Sequence, residues 1–152
     1  MTISALFAFF HFIAAFGLAA TLFFEWLSFN RELTYNEARR IQNADTWYGI
    51  FAGLLLIVGF LRVFYFEKGS AFYFASPFFH LKLTLFVAIG LLSIYPTIRF
   101  LAWRKETRQQ QAPSISEQEF IRIRRILNAE FILLIALLAS ASLMAKGIGF
   151  SQ

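Results

Sequence analysis

The sequence predicts an all-α integral membrane protein, one bundle of four transmembrane helices with both termini on the non-cytoplasmic side. Three observations support this fold class. Of the 152 residues, 59% are hydrophobic and 15% are charged, with a mean hydropathy of +0.61, a composition unsuited to a water-soluble domain. The charged residues are concentrated in a few short segments. Four apolar runs each have the roughly 20 residues that a helix needs to cross a hydrocarbon core of about 30 Å.

The four runs place the spans within a single predicted transmembrane domain, residues 1–152. They lie at about 4–27, 47–66, 77–101 and 125–146. Backbone groups in lipid must be satisfied internally, so each run is expected to be a helix. The first run has no Lys or Arg before it and no small-residue cleavage site after it. We therefore interpret it as a retained span and not as a signal peptide.

The distribution of Lys and Arg predicts the topology, because short cytoplasmic loops carry an excess of these residues. One side of the membrane carries the connection between spans one and two, the connection between spans three and four, and the start of span four. These segments contain Arg31, Arg39, Arg40, Arg104, Lys105, Arg108, Arg122, Arg124 and Arg125. The opposite side has only Lys68 and Lys146. Both termini are therefore expected to face away from the cytoplasm, and Arg122 and Arg124 are expected to contact anionic headgroups.

Two helix-start signals lie in these connections. The pairs Thr34 and Glu37, and Ser116 and Glu119, have the Ser/Thr-x-x-Glu spacing of a capping box. The second pair is expected to begin a helix that runs directly into the fourth span. Before it, residues 106–113 contain three consecutive Gln and are predicted to be a solvated linker.

Polar side chains inside the spans are the candidate functional residues, since ionisable groups are costly at membrane depth and usually face the bundle interior. By depth they form two groups. The outer group comprises His11, Arg62, His80 and Lys82. The inner group comprises Glu25, Arg99, Arg125, Asn128 and Glu130. The inner group can pair acids with bases, whereas the outer group has bases and no buried acid.

The outer group predicts a binding site for haem b. Imidazole nitrogen binds haem iron, Arg or Lys pairs with the propionates, and some of the 21 Phe residues can pack the macrocycle. The chain has no Cys, which excludes thiolate-held metal sites and haem attached through Cys. His80 and Lys82 point about 200° apart on a helix, and the phase favours Lys82 as the inward group.

Three motifs, in order along the chain, resemble those of the HemJ-type protoporphyrinogen oxidases and of a related uncharacterised family of small bacterial membrane proteins. The motifs are His11 in an apolar first span, His80-Leu81-Lys82-Leu83 at the start of the third, and Arg125-Ile126-Leu127-Asn128-Ala129-Glu130 at the start of the fourth. The resemblance implies haem b binding by His11 and Lys82, a bacterial inner-membrane location, and electron transfer from a porphyrinogen towards quinone.

The chain departs from the HemJ pattern at two places. Ala129 separates Asn128 from Glu130 with no Pro shortly after, and Lys146-Gly147-Ile148 stands where HemJ-like chains tend to have Lys-Pro-Phe. We therefore expect the chain to belong to the uncharacterised related family, with haem binding as the shared property.

The expected function is that of a haem-dependent membrane oxidoreductase or electron-transfer protein. His11 is the expected axial ligand of the haem iron, Lys82 or His80 completes or supports the coordination, and Arg62 neutralises a propionate. The expected partners are the lipid bilayer and a quinone or porphyrin. The clustering of charge excludes a nucleic-acid binder, and the oligomeric state is open, a homo-oligomer included.

Other interpretations remain open. A small transport or copper-handling protein would use His11, His80 and Met144 for a soft metal, and a structural or assembly subunit would use its polar groups only for helix packing. The inner group predicts either a polar clasp or a proton relay. Its members are Glu25, Arg125, Asn128 and Glu130.

Overall fold

The computed structural model describes residues 2–66 and 77–146, and every regular element in these ranges is helical. The elements are α1 (Ile3–Ser28), α2 (Tyr35–Leu61), a π-helical segment (Arg62–Phe66), α3 (Pro77–Ala102), α4 (Arg104–Arg108) and α5 (Glu117–Ala145). By length and composition, α1, α2, α3 and α5 can each cross a membrane. The predicted bundle of four spanning helices is confirmed. The side on which the termini lie stays a prediction, and Lys68, on which it partly rests, is outside the described residues.

The four spanning helices form a closed ring. α1 packs mainly on α2, and α3 packs mainly on α5, while contacts of α1 with α5 and of α2 with α3 complete the ring. Successive spans alternate in direction, so the segments 29–34 and 103–116 lie at one end of the bundle. We call this the loop end, and the opposite end, with the start of α1, the termini end. Large apolar side chains such as Phe12, Phe16 and Ile132 are exposed on the outside of the ring, where they face lipid.

At the loop end, two helices extend beyond the predicted spans and build a packed core. As the capping signals predict, α2 begins at Tyr35, ahead of the apolar run that starts at Trp47, and α5 begins at Glu117, ahead of the span that starts at Arg125. The buried side chains of this loop-end core include Phe29, Leu33, Ala38, Ile41, Phe100, Trp103 and Ile123. The Phe29 ring stacks on Trp103 at 6.3 Å. Aromatic stacking adds to the free energy gained when these apolar surfaces leave water.

The two predicted helix starts are both present, but they differ in their hydrogen bonds. The Thr34 hydroxyl accepts from the Glu37 backbone N–H, and the Thr34 backbone N–H donates to Glu37 Oε2 at 2.8 Å, which completes a capping box. The Ser116 hydroxyl accepts from the Glu119 backbone N–H at 3.2 Å. The carboxylate of Glu119 does not return to Ser116, because it binds Arg99 Nε and Nη2, each at 2.8 Å.

The prediction of a solvated linker over residues 106–113 is wrong for part of the segment. Thr107 belongs to α4 and is buried, and Pro113 is buried too. The Thr107 hydroxyl donates to Gln42 Oε1 at 3.1 Å, and Gln42 Nε2 donates to the Phe100 carbonyl at 3.0 Å. These buried hydrogen bonds hold α4 against α2 and α3. The turn that follows contains Gln110 at φ 58°, a left-handed conformation common where helices end.

Arg124 joins the end of α1 to α5. Its Nη1 donates to the Trp26 carbonyl at 2.7 Å and its Nη2 to the Phe29 carbonyl. The guanidinium also lies over the rings of Phe29 and Phe120, at 5.6 and 5.8 Å from their centroids. A cation at a helix C-terminus satisfies carbonyls that have no partner within the helix. The expected headgroup contact is therefore replaced, for Arg124, by a structural role.

Candidate functional site

Three of the four outer polar residues lie together at the termini end. His11 on α1 is half-buried, and Arg62 and Lys82 are near enough to act on it electrostatically. We call these three residues the basic cluster. Arg62 begins the π-helical segment, which packs on α1. A π turn shifts the side chains that follow relative to an α-helix, and such turns are frequent at functional sites.

The imidazole of His11 faces α2 at a glycine. A Cβ atom at Gly59 would lie 3.5 Å from His11 Cε1 and 3.8 Å from Nδ1, so the ring packs directly on the α2 backbone. Nδ1 is buried and has no hydrogen-bond partner among the residues that the structure describes. A buried polar atom without a partner is rare and calls for an explanation. An imidazole with an unused nitrogen, beside two cations, is a donor set that fits haem.

Helical phase separates the two polar residues at the start of α3. His80 is exposed, and its ring lies edge-on to Phe79 at 5.9 Å. Lys82 is half-buried, with Nζ 5.6 Å from the centroid of the Phe79 ring. Of the two, Lys82 is the one that acts on His11.

A second polar cluster lies towards the loop end. Glu25 on α1, Asp45 on α2 and Glu130 on α5 are 3%, 6% and 1% exposed, and they act on one another electrostatically. We call them the acidic cluster. From α3, the Thr97 hydroxyl donates to Asp45 Oδ1 at 2.6 Å. Every spanning helix thus contributes an oxygen-bearing side chain to one region of the bundle interior.

The acidic cluster contains carboxyl oxygens without a partner. Oε1 of Glu25 and Oε1 of Glu130 are buried and accept no hydrogen bond from the described residues. None of the three carboxyls forms an ion pair within residues 2–66 and 77–146. Exposed Arg104 acts on Asp45 from the loop-end surface, where its Nη2 donates to Thr46 Oγ1 at 3.2 Å.

The four residues of the predicted clasp or relay are divided between the interior and the surface. Glu25 and Glu130 are in the acidic cluster. Arg125 is exposed and lines a shallow groove on the outside of α5. Asn128 is also exposed, and its Oδ1 accepts from Trp26 Nε1 at 2.8 Å. The buried carboxyls therefore have each other as neighbours, while Asn128 of the same motif tethers α5 to α1 at the surface.

Asp45 is not among the site residues that the sequence predicts. The hydropathy pattern assigns it to the connection before the second span, because the apolar run begins at Trp47. The buried positions of α2 nevertheless follow a helical spacing from the Thr34 cap, with Ala38, Ile41, Asp45 and Tyr48 on one face. Continuing the helix from the capping box, and not from the first apolar residue, would have predicted that Asp45 faces the interior.

Comparison with known proteins identifies a family for this chain. A family model described as "Predicted membrane protein (DUF2214)" matches residues 3–149. No curated protein and no solved structure matches the chain. The expected relation to a family of membrane proteins is thereby confirmed, while the resemblance to the HemJ-type enzymes stays a prediction. Because the match covers nearly the whole chain, the chain belongs to the DUF2214 family of membrane proteins.

Proposed function

We propose that this protein binds haem b at the basic cluster and acts as a multi-pass oxidoreductase or electron-transfer protein of the bacterial inner membrane. The observation that carries the proposal is the imidazole of His11. It is half-buried between α1 and α2, with a buried Nδ1 that has no partner among the described residues and with two cations nearby.

Each residue of the basic cluster has a distinct role in this proposal. His11 supplies an axial nitrogen to the iron. Lys82 completes or supports the coordination, since it is half-buried and acts on His11 electrostatically, whereas His80 is exposed. Arg62 pairs with a propionate, a role suited to its guanidinium. When bound, haem supplies one-electron chemistry, and a quinone or porphyrinogen is the proposed organic redox partner.

Absorption spectra of the detergent-purified protein, oxidised and dithionite-reduced, test the proposal. We expect a Soret band in the wild type and the loss of most of it in His11→Ala. His80→Ala is the matched control, because it removes an exposed imidazole from the same end of the bundle and should keep the band. Lys82→Ala should shift the band or weaken it.

Three results would contradict the proposal. The first is a wild-type protein with no Soret band after expression with added haem precursor. The second is stoichiometric copper in place of haem, which would favour the metal-handling alternative. The third is an equal spectrum in His11→Ala and in the wild type with a change only in stability, which would assign His11 to helix packing. If haem is present but added quinone does not reoxidise it, haem binding stands and the proposed quinone step is wrong.

A further inference from the structure

We propose that the acidic cluster is a proton-binding site, in which Asp45 exchanges protons with the loop-end solution and Glu25 and Glu130 hold them inside the bundle. The proposal is independent of haem. It rests on three buried carboxyls from three different helices and on two carboxyl oxygens without partners.

Charge neutrality inside the bundle is the first argument. Three ionised carboxylates with no ion pair would place three negative charges in a region of low dielectric, where they repel one another and lose their hydration. Ionisable groups at membrane depth are usually paired or functional. A positive charge from solution must therefore reduce the charge of this cluster, since within the described residues no Lys or Arg enters it.

A proton suits this site better than a metal ion. Among residues 2–66 and 77–146, no three His, Asp or Glu side chains are arranged so that they could hold a metal. A metal cation needs several oxygens converging on one point, whereas a proton needs one acceptor oxygen at a time. The unpartnered Oε1 atoms of Glu25 and Glu130 provide such acceptors.

The groups around the cluster define a direction for proton exchange. The titratable or charged neighbours are Tyr48 on α2 and Arg104 on α4, and α3 contributes the hydroxyls of Ser93 and Thr97. Arg104 is exposed and acts on Asp45, so Asp45 is the carboxyl next to the loop-end surface. Glu25 and Glu130 are 3% and 1% exposed, and the buried Tyr48 acts on both electrostatically.

The exchange step is a simple acid–base transfer. A proton leaves the hydroxyl oxygen of one carboxylic acid and binds an oxygen of the neighbouring carboxylate. The donor becomes a carboxylate, the acceptor becomes a carboxylic acid, and the total charge of the cluster is unchanged. Such a pair titrates as a unit and not as two separate residues.

Infrared spectroscopy of the full-length protein in lipid nanodiscs tests the proposal. At neutral pH we expect a carbonyl band of protonated carboxylic acid that shifts in D₂O. Glu25→Gln and Glu130→Gln should each weaken it, and the double variant should lose it. The control is Glu117→Gln, since Glu117 is exposed on the same helix as Glu130 and should leave the band unchanged. Asp45→Asn should slow the shift in D₂O.

Several outcomes would overturn the proposal. One is the absence of the band in the wild type, a result that needs no variant to fold. Another is a band that appears only when Na⁺ is removed, which would assign the site to an alkali cation. A band that survives in the folded double variant, or a D₂O shift equally fast in Asp45→Asn, would also contradict it. A visible spectrum of each sample reports haem separately, so failure here is distinguishable from failure of the haem proposal.

Discussion

The loop end and the termini end of the bundle are held together by different interactions. At the loop end, Phe29, Phe100 and Trp103 form a buried aromatic core, and hydrogen bonds from Arg99 and Arg124 connect distant segments. At the termini end, Phe9, Phe12 and Phe60 are at least 44% exposed on the outside of the helices. His11 packs on α2 at Gly59 there, and Arg62 and Lys82 act on it electrostatically.

This difference follows from the solvent at each end. α2 and α5 extend past the apolar runs at the loop end, so water drives apolar side chains together there as in a soluble domain. Within lipid the hydrophobic effect does not favour one apolar contact over another, and helices associate through close packing and polar contacts. Stability should therefore depend on side-chain volume at the loop end, and on small residues within the membrane.

Truncation of a core aromatic should have the largest effect. Phe29→Ala removes a fully buried ring from the loop-end core, and we expect a loss of about 3–5 kcal/mol in the free energy of unfolding. Phe12→Ala removes an exposed ring from α1 and should change stability little. Thermal unfolding in detergent, followed by circular dichroism, measures both. Equal effects would show that stability is no more sensitive to side-chain volume at the loop end than at the termini end.

Loss of the Glu119 carboxylate should have an intermediate effect. Arg99 binds it through two nitrogens and Trp103 Nε1 donates to it at 3.2 Å, so Glu119→Ala leaves a buried indole N–H unpaired at a cost of about 1–3 kcal/mol. Glu117→Ala is the matched control. Its partner Arg31 is 4.0 Å away and both side chains are exposed, so the change should be within about 0.5 kcal/mol. An equally small change in both variants would show that the Arg99–Glu119 pair does not stabilise the loop end.

The smallest effect is expected where α1 crosses α2 within the membrane. A Cβ atom at Gly17 would lie 2.6 Å from Cε2 and Cζ of Phe51, whereas at Gly53 it would meet nothing within 4 Å. Gly17→Ala should lose about 1 kcal/mol, since overpacking costs about 1–3 kcal/mol and the helix gains about 1 kcal/mol. Gly53→Ala should only gain about 1 kcal/mol of helix stability, because the added methyl group meets no neighbour. If Gly17→Ala unfolds at the same temperature as Gly53→Ala, close packing at this crossing is not limiting.

The spans could be predicted from sequence because their length and polarity are set by the bilayer. The cap at Thr34 is local and could be predicted as well. The contacts of Ser116 and Glu119 could not be predicted fully, because the spacing of a capping box is the same whether the carboxylate turns back to the helix start or bonds to another helix. In this chain the Glu119 carboxylate accepts hydrogen bonds from Arg99 and not from the Ser116 backbone, since charge-assisted bonds are the stronger ones.

The candidate sites were predictable to different degrees. Helical phase distinguishes Lys82 from His80, because both lie on one regular helix. Depth along the spans places Arg62 at the level of His11, whereas no spacing in the sequence indicates the π-helical segment that begins at Arg62. The acidic cluster depends on Asp45, which hydropathy places outside the membrane. Its three carboxyls become neighbours only through the packing of α1, α2 and α5, so their proximity is a property of the assembled bundle.

The bond pattern of Arg124 has a consequence for how the chain is made. Its acceptors, the carbonyls of Trp26 and Phe29, precede it by 98 and 95 residues. During synthesis, the first span is completed long before this guanidinium leaves the ribosome. Until the last span is inserted, the end of the first one depends on water for the same hydrogen bonds. The end of α1 is therefore completed only when the start of α5 packs against it. A chain truncated before Arg124 would leave the end of the first helix frayed.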